Sequence, residues 1–354
     1  MKRMHNKTSP RKDEHLKICN ELDVNYDLIS PGFEKISITE ELSNFSDVTP
    51  DIVNLETSLF GKKIDFPLII SGITGGSEEG KKINKSIAKV CDKFNIAMGV
   101  GSQRAAIEEP QLASTYQVRE YAPNIPLIGN LGVAQLLDKT NGEKVKLAVE
   151  MIDADALALH INPLQEYVQY EGDKQLSNII SPLESIIQES NYPIIIKGVG
   201  FGFSLNDMKI IGKLGAKYVD IAGAGGTNWT KIELYRHKKE FSFSNEFVNL
   251  GISTVESLKN AVFVQQSFPY KIIASGGIWS GINAVKALLL GADYVGFALP
   301  IVKAYYNKGE EGIESFLSVF LIEMKIVLAM MGIKNIKQLN ERKKKSCFHN
   351  KKRL

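Results

Sequence analysis

The chain has 354 residues, 44% of them hydrophobic, enough for one large α/β domain or two smaller ones. Its net charge is only +3, and the basic excess sits at the ends (Lys2, Arg3, Lys7, Arg11 and Lys12, then the runs 342–345 and 351–353), which points to solvated tails and away from nucleic acid. Three widely spaced cysteines, Cys19, Cys91 and Cys347, with no CxxC, exclude a disulfide scaffold or a zinc site and fit a reducing, cytoplasmic compartment.

No apolar stretch follows the N-terminal charges, so no signal peptide is expected. Residues 1–65 precede the first apolar strand. With Asp27-Leu28-Ile29-Ser30-Pro31-Gly32 and a polar stretch at 44–50, they read as an N-terminal arm covering the substrate, not a second domain. Eight β-branched runs with glycine-rich ends follow, at 67–71, 96–100, 126–130, 155–161, 193–198, 217–222, 270–275 and 292–297. Amphipathic segments such as 80–94 and 205–214 lie between them, and most starts are roughly 20 to 40 residues apart, the size of a βα unit. Continuous apolar strands alternating with helices predict a parallel sheet buried on both faces. Eight such units predict an α/β fold closed as a (β/α)8 TIM barrel over 66–339. An insertion at 227–251 separates strands 6 and 7, and a long insertion on the catalytic side often covers a site. Segment 316–331 is too short and, with Glu323 and Lys325, too charged to span a membrane; it reads as a core-facing helix. Beyond about Gly332, and through a basic tail at 340–354, the chain is expected to be mobile.

The late stretch Ser275-Gly276-Gly277-Ile278-Trp279-Ser280-Gly281 is a glycine loop between a buried strand and a short helix. Consecutive glycines let N–H groups approach a phosphate, and the helix that follows aims its positive end at the same spot. The loops after strands 7 and 8 are where barrels build their phosphate site. Earlier strand ends are also polar: Gly72-Ile73-Thr74-Gly75-Gly76, Gly101-Ser102-Gln103-Arg104, Gly129-Asn130-Leu131-Gly132, His160 to Glu166, Lys197-Gly198-Val199-Gly200, and Gly225-Gly226-Thr227. Each alone reads as a turn, a solvated charge or a satisfied histidine. Six strand ends in succession point to a flat cofactor, with Lys197 supplying positive charge at the N1/O2 edge of a flavin. His5 and His349 lie in the tails, and Arg236, His237, Lys238 and Lys239 read as a solvated cluster.

Taken in order, these motifs resemble the type 2, FMN-dependent isopentenyl-diphosphate isomerases. The matching pieces are Arg11-Lys12-x-x-His15, Thr74-Gly75-Gly76, Gly101-Ser102-Gln103-Arg104, Gly129-Asn130-Leu131-Gly132, His160-Ile161-Asn162-Pro163-Leu164-Gln165-Glu166, Lys197 to Gly202, Gly225-Gly226-Thr227-Asn228-Trp229 and Ser275-Gly276-Gly277-Ile278. The resemblance implies interconversion of isopentenyl and dimethylallyl diphosphate with reduced FMN, NADPH as reductant and Mg²⁺. It implies FMN contacts at Gly72, Ile73, Thr74, Ser102, Asn130, Lys197 and Thr227. The FMN phosphate would lie on Gly276, Gly277 and Ile278, near Ala298 and Leu299. Substrate would meet Arg11, Lys12, Ser102, Gln103, Arg104 and Gln165, with Gln165 and His160 as catalytic residues and Glu166 on the metal. A homotetramer or homo-octamer is the family expectation. Two positions depart from the pattern: Ile73 stands where many relatives carry Met, and Ala222 where some carry serine.

The rival reading is an FMN-dependent 2-hydroxy-acid oxidase, which resembles this chain around the phosphate loops. It needs a late histidine and arginines, and Ser275-Gly276-Gly277-Ile278-Trp279-Ser280 carries neither. An inosinate-type dehydrogenase needs a central-loop cysteine, and none of the three cysteines lies there.

Overall fold

The computed structural model describes residues 8–138, 141–237 and 243–349; Lys2, Arg3, His5, Lys7, Lys238, Lys239 and the 351–353 run lie outside them, as do the side chains of His237 and His349. All eight expected strands form: β1 Leu68–Ile70, β2 Ala97–Gly99, β3 Leu127–Gly132, β4 Ala156–His160, β5 Ile194–Lys197, β6 Tyr218–Asp220, β7 Lys271–Ser275 and β8 Tyr294–Phe297. Each pairs in parallel with the next, and β8 returns to β1 with Gly296 opposite Ile69, closing the barrel. Helices such as Glu78–Phe94 and Leu205–Lys213 lie between strands, and Ser77 and Ser204 cap them.

The apolar strands serve two cores. Leu68, Ile70, Leu157, Leu159, Ile194 and Ile196 face the helices. The alternate positions Ile69, Ala97, Ile128, Ala158, Ile195 and Ile273 face into the barrel. This inner core continues into a hairpin the sequence did not announce. Thr57–Leu59 pairs antiparallel with Lys62–Ile64, and Leu59 and Ile64 are fully buried against the inner layer. Burying each contributes about 1.5–3 kcal/mol. Tyr294 donates to Ser58 O at 2.5 Å. The hairpin is therefore a floor for the barrel, and the arm is part of the core.

The C-terminal end also departs from expectation. Residues Ile336–His349 form a helix in place of a mobile tail after Gly332; Leu339 is fully buried and Lys343 donates to Ala292 O at 2.6 Å. Helix Leu299–Met330, which includes the expected core-facing segment, is broken at Lys308 and Gly309. Among the described residues no helix is long and apolar enough to cross a membrane.

Candidate active site

Where the apolar layers stop, the same alternation brings polar residues to the inner face at the strands' C-terminal ends. Ser71, Asn130, Lys197 and Asp220 surround a small cavity there, continuous in register with Ile69, Ile128, Ile195 and Ile273 below. Above it opens a cavity of about 230 Å³. Every expected site residue except Gln103 lines this larger cavity.

One end of the cavity is made of backbone. Gly276 and Gly277 have φ of 97° and 65°, and a Cβ on Gly276 would lie 2.1 Å from Gly223 O. A Cβ on Gly226 would lie 2.4 Å from Gly277 N, so the loops after β6 and β7 interlock only as glycines. The expectation that the next helix points at this loop needs correction. Helix Gly281–Leu289 has its N-terminus occupied by a carboxylate, because Gly281 N donates to Glu323 Oε2 at 2.7 Å. The helix that presents its start to the cavity is Leu299–Met330: Ala298, Leu299 and Pro300 line the wall and no side chain caps it. Ser71 Oγ and Thr74 Oγ1, both buried on the wall, have no hydrogen-bond partner in the protein. A ligand with a phosphate and a polar ring system, as FMN has, matches this set of glycine N–H groups, helix start and orphan hydroxyls. Ser71 was not among the expected residues. Ala222, on the same wall, holds a left-handed φ of 34°, a strain of about 1–3 kcal/mol of the kind found at ligand sites.

The other end is made of side chains. Helix Thr8–Glu21 lays Arg11, Lys12 and His15 across the opening. Lys12 Nζ donates to Ser102 O at 3.4 Å, which also accepts from Tyr116. Burial, with Arg11 beside it, brings the Lys12 ammonium down to about 7. Arg11 Nε is buried and has no partner, and Arg11 Nη1 donates to the Gln169 oxygen at 3.1 Å in the amide orientation that satisfies both groups. Arg104 holds Glu108 at 2.8 Å and Asp173 at 3.4 Å while still lining the cavity. Gln103 is not brought to this end. It is fully buried, its amide donates to Ala148 O at 2.7 Å, and its oxygen accepts from Asn130 N at 2.9 Å. It braces β3 from behind and its side chain is turned away from any substrate.

His160 lines the cavity near Lys12 and Lys197. Burial, then Lys12 and Lys197, push its imidazolium down to about 4, so the ring is neutral at pH 7. Its Nδ1 lies 2.8 Å from Asn130 Oδ1, whose amide nitrogen donates to Val100 O, which assigns the proton to Nδ1. His160 is thus a neutral ring on the cavity wall, held by Asn130 and the Leu131 backbone. The helix Pro163–Val168 carries the next residues: Asn162 caps it and its amide donates to Gln165 Oε1. Glu166 lines the cavity with Oε2 accepting from Asp173 N at 2.7 Å, and burial raises its pKa. A cation would relieve that burial. Among the described residues no cluster of three His, Cys, Asp or Glu side chains exists, so a metal on Glu166 needs oxygens from elsewhere.

The insertion hides the residues that sequence reasoning missed. Helix Trp229–His237 carries Glu233, fully buried, whose Oε1 meets His15 Nε2 at 2.9 Å and accepts from Gln165 at 3.4 Å. Arg236, expected to be solvated, is largely enclosed, its side chain 9% exposed, and binds Glu233 at 2.6 Å, Glu171 at 2.9 Å and Glu14 at 3.0 Å. Burial pushes the Glu233 carboxyl up, but His15 and Arg236 outweigh it and hold it low. This network ties arm, insertion and the loop after β4 together across the cavity rim. His15 belonged to the motif Arg11-Lys12-x-x-His15, and that link was the one signal pointing to an acidic partner.

Comparison with known proteins agrees with this geometry. The sequence pattern described as FMN-dependent dehydrogenase matches residues 118–345. The chain is 39% identical to the isopentenyl-diphosphate delta-isomerase of Methanocaldococcus jannaschii, over 95% of this chain and 94% of that protein. It is 43% identical to the enzyme of that name from Synechocystis sp. over 83% and 84%, and 37% identical to that of Pyrococcus furiosus over 95% and 86%. Among solved structures, the flavin-binding domain of baker's yeast flavocytochrome b2 matches with a TM-score of 0.67 at 18% identity, over 92% of this chain and 81% of that one. A mandelate oxidase variant with benzaldehyde matches at 0.60 and 14%, over 92% of each. These distant likenesses establish the barrel alone, whereas the close relatives and the matched pattern establish the lineage: the chain belongs to the isopentenyl-diphosphate delta-isomerases, built on an FMN-dependent dehydrogenase barrel.

Proposed function

We propose that the protein interconverts isopentenyl diphosphate and dimethylallyl diphosphate with reduced FMN bound in the barrel mouth. The observation that carries this reading is the pair of anion-holding ends in one cavity: a backbone cradle at Gly276, Gly277 and Leu299, and a side-chain clamp of Arg11, Lys12 and Arg104. One ligand phosphate needs one end; a flavin phosphate and a substrate diphosphate need both. When bound, reduced FMN supplies the acid–base chemistry that moves a proton on and off an alkene.

The chain's own residues do the rest. Arg11, Lys12 and Arg104 hold the diphosphate by charge-assisted bonds. Glu166 would hold Mg²⁺ through its carboxylate, and the ion would supply charge to neutralise the diphosphate. Neutral His160, held by Asn130, orients a phosphate oxygen without adding charge. Gln165, tethered between Asn162 and Glu233, orients the hydrocarbon end. The apolar wall residue Ile73 excludes water from the reacting carbons.

NADPH as the reductant and a cytoplasmic setting complete the reading. Self-association into a tetramer or octamer is supported by an exposed apolar stripe at Val319, Ile322, Ile326 and Met330, spaced for one helix face. The test is a product assay on isopentenyl diphosphate with FMN-loaded, photoreduced protein and Mg²⁺ but no NADPH. Dimethylallyl diphosphate should accumulate catalytically. Product limited to one per reduced flavin would sink the reading.

A further inference from the structure

Lys197 ends β5 at the cavity's floor, and it is not alone. Register places Asp220 on β6 directly opposite Lys197 on β5. The two side chains meet at 2.5 Å, 13% and 5% exposed. Asp220 has its other oxygen fixed as well: Ser275 Oγ on β7 donates to it at 2.5 Å, and Ala222 N donates at 3.2 Å. Lys197 lines both the main cavity and the small one beneath it, whereas Asp220 lines only the lower one. Asp220 therefore touches no ligand in the main cavity and acts on it through Lys197, Ser275 and Ala222, of which Lys197 alone is charged.

We propose that Asp220 is a positioning residue that screens Lys197, so that the cofactor meets a nearly neutral ion pair instead of a bare ammonium. This rests on the reading that FMN occupies the main cavity. The physical reason lies in the reaction class. An isomerisation returns every proton it takes and leaves no net redox change, so the acid–base group must release and recover a proton with similar ease. A bare lysine in a low-dielectric wall would hold a neighbouring ring in its anionic form. An aspartate clamped by a serine and a backbone N–H cannot rotate away, which fixes both the screening and the direction of the ammonium. Gly296 packs against Ser275, where a Cβ would lie 3.2 Å from the Ser275 Cβ, so the serine that clamps Asp220 has little room to shift.

The readout is the ratio of reduced to oxidised FMN on the protein at a fixed potential, measured against a reference dye. The visible spectrum of the wild-type protein comes first: failure to bind FMN overturns both the flavin assignment and this inference. In FMN-loaded protein, Asp220→Asn removes the negative charge and keeps the shape, and should raise the ratio about tenfold or more, equal to about 30 mV for a two-electron couple. Lys197→Met should lower it by about tenfold or more, and the double variant should recover that loss. Asp220→Glu, which keeps the charge, should hold the wild-type ratio. An Asp220→Asn ratio equal to wild type, or a double variant displaced as far as Lys197→Met, overturns the proposal and leaves FMN binding standing. The double variant buries no bare ion, so its comparison with Lys197→Met decides the matter even if Asp220→Asn alone does not fold.

Discussion

The two ends of the cavity bind anions by different means. At the barrel end the donors are backbone: glycines at φ of 97° and 65° and the start of a long helix, with no lysine or arginine among them. At the arm end the donors are Arg11, Lys12 and Arg104, carried on two helices. Backbone donors are fixed by the fold and cost no side-chain entropy, which suits a resident group. Long side chains reorganise and release, which suits a ligand that is exchanged every turnover. The division predicts that damage at one end should spare the other.

Gly276→Ala should be the most severe test. It puts a Cβ 2.1 Å from Gly223 O at a left-handed φ, and FMN affinity should fall about a hundredfold or more, read by flavin fluorescence titration. Unchanged affinity would show that the cradle is not the phosphate site. Next, Arg11→Ala should raise the KM for isopentenyl diphosphate about 30-fold, the worth of one charge-assisted bond, with FMN affinity unaltered. Loss of flavin in that variant would erase the distinction between the ends. Glu166→Gln should weaken the Mg²⁺ requirement by about tenfold in a metal titration while flavin stays bound.

The pH profile tests the arm more gently. Lys12 keeps its proton below about 7 and sheds it above, so kcat/KM should fall several-fold as pH rises through that point in the free enzyme. Lys12→Arg, charged throughout, should remove this limb. A profile identical in both proteins would show that Lys12 does not set it. The smallest effect belongs to the orphan hydroxyls. Ser71→Ala should cost FMN about threefold, and should leave the FMN-free protein no less stable in a denaturant melt, since no internal bond is lost.

The barrel end was largely legible in the sequence, because its signals are local. Eight apolar runs, each with its glycines, lie where the strands and cradle form, and a strand's period of two fixes which residues face inward. The arm end was legible only as motifs. That Gln103 turns into the wall, and not toward substrate, depends on Ala148 and Asn130, residues in other βα units. Glu233 was invisible because its partner His15 lies 218 positions away. The floor hairpin escapes notice because its turn is Phe60-Gly61, with Phe60 at φ 50°, and lacks the Asn-Gly or Asp-Gly signal of a tight hairpin. The C-terminal helix reads as a tail because its basic surface masks a single anchoring face, represented by Leu339 and Lys343.

The hairpin at the floor has a further consequence. With Leu59 and Ile64 stoppering one mouth of the barrel, everything that enters or leaves uses the other, beneath the helix that carries Arg11 and Lys12. Traffic through a single doorway is strictly last in, first out. On the proposed assignment, with the flavin at the barrel end and the diphosphate beneath the arm, the cofactor is expected to seat first. Excess isopentenyl diphosphate added before the cofactor should therefore delay flavin uptake, acting as a cork where it would otherwise be fuel.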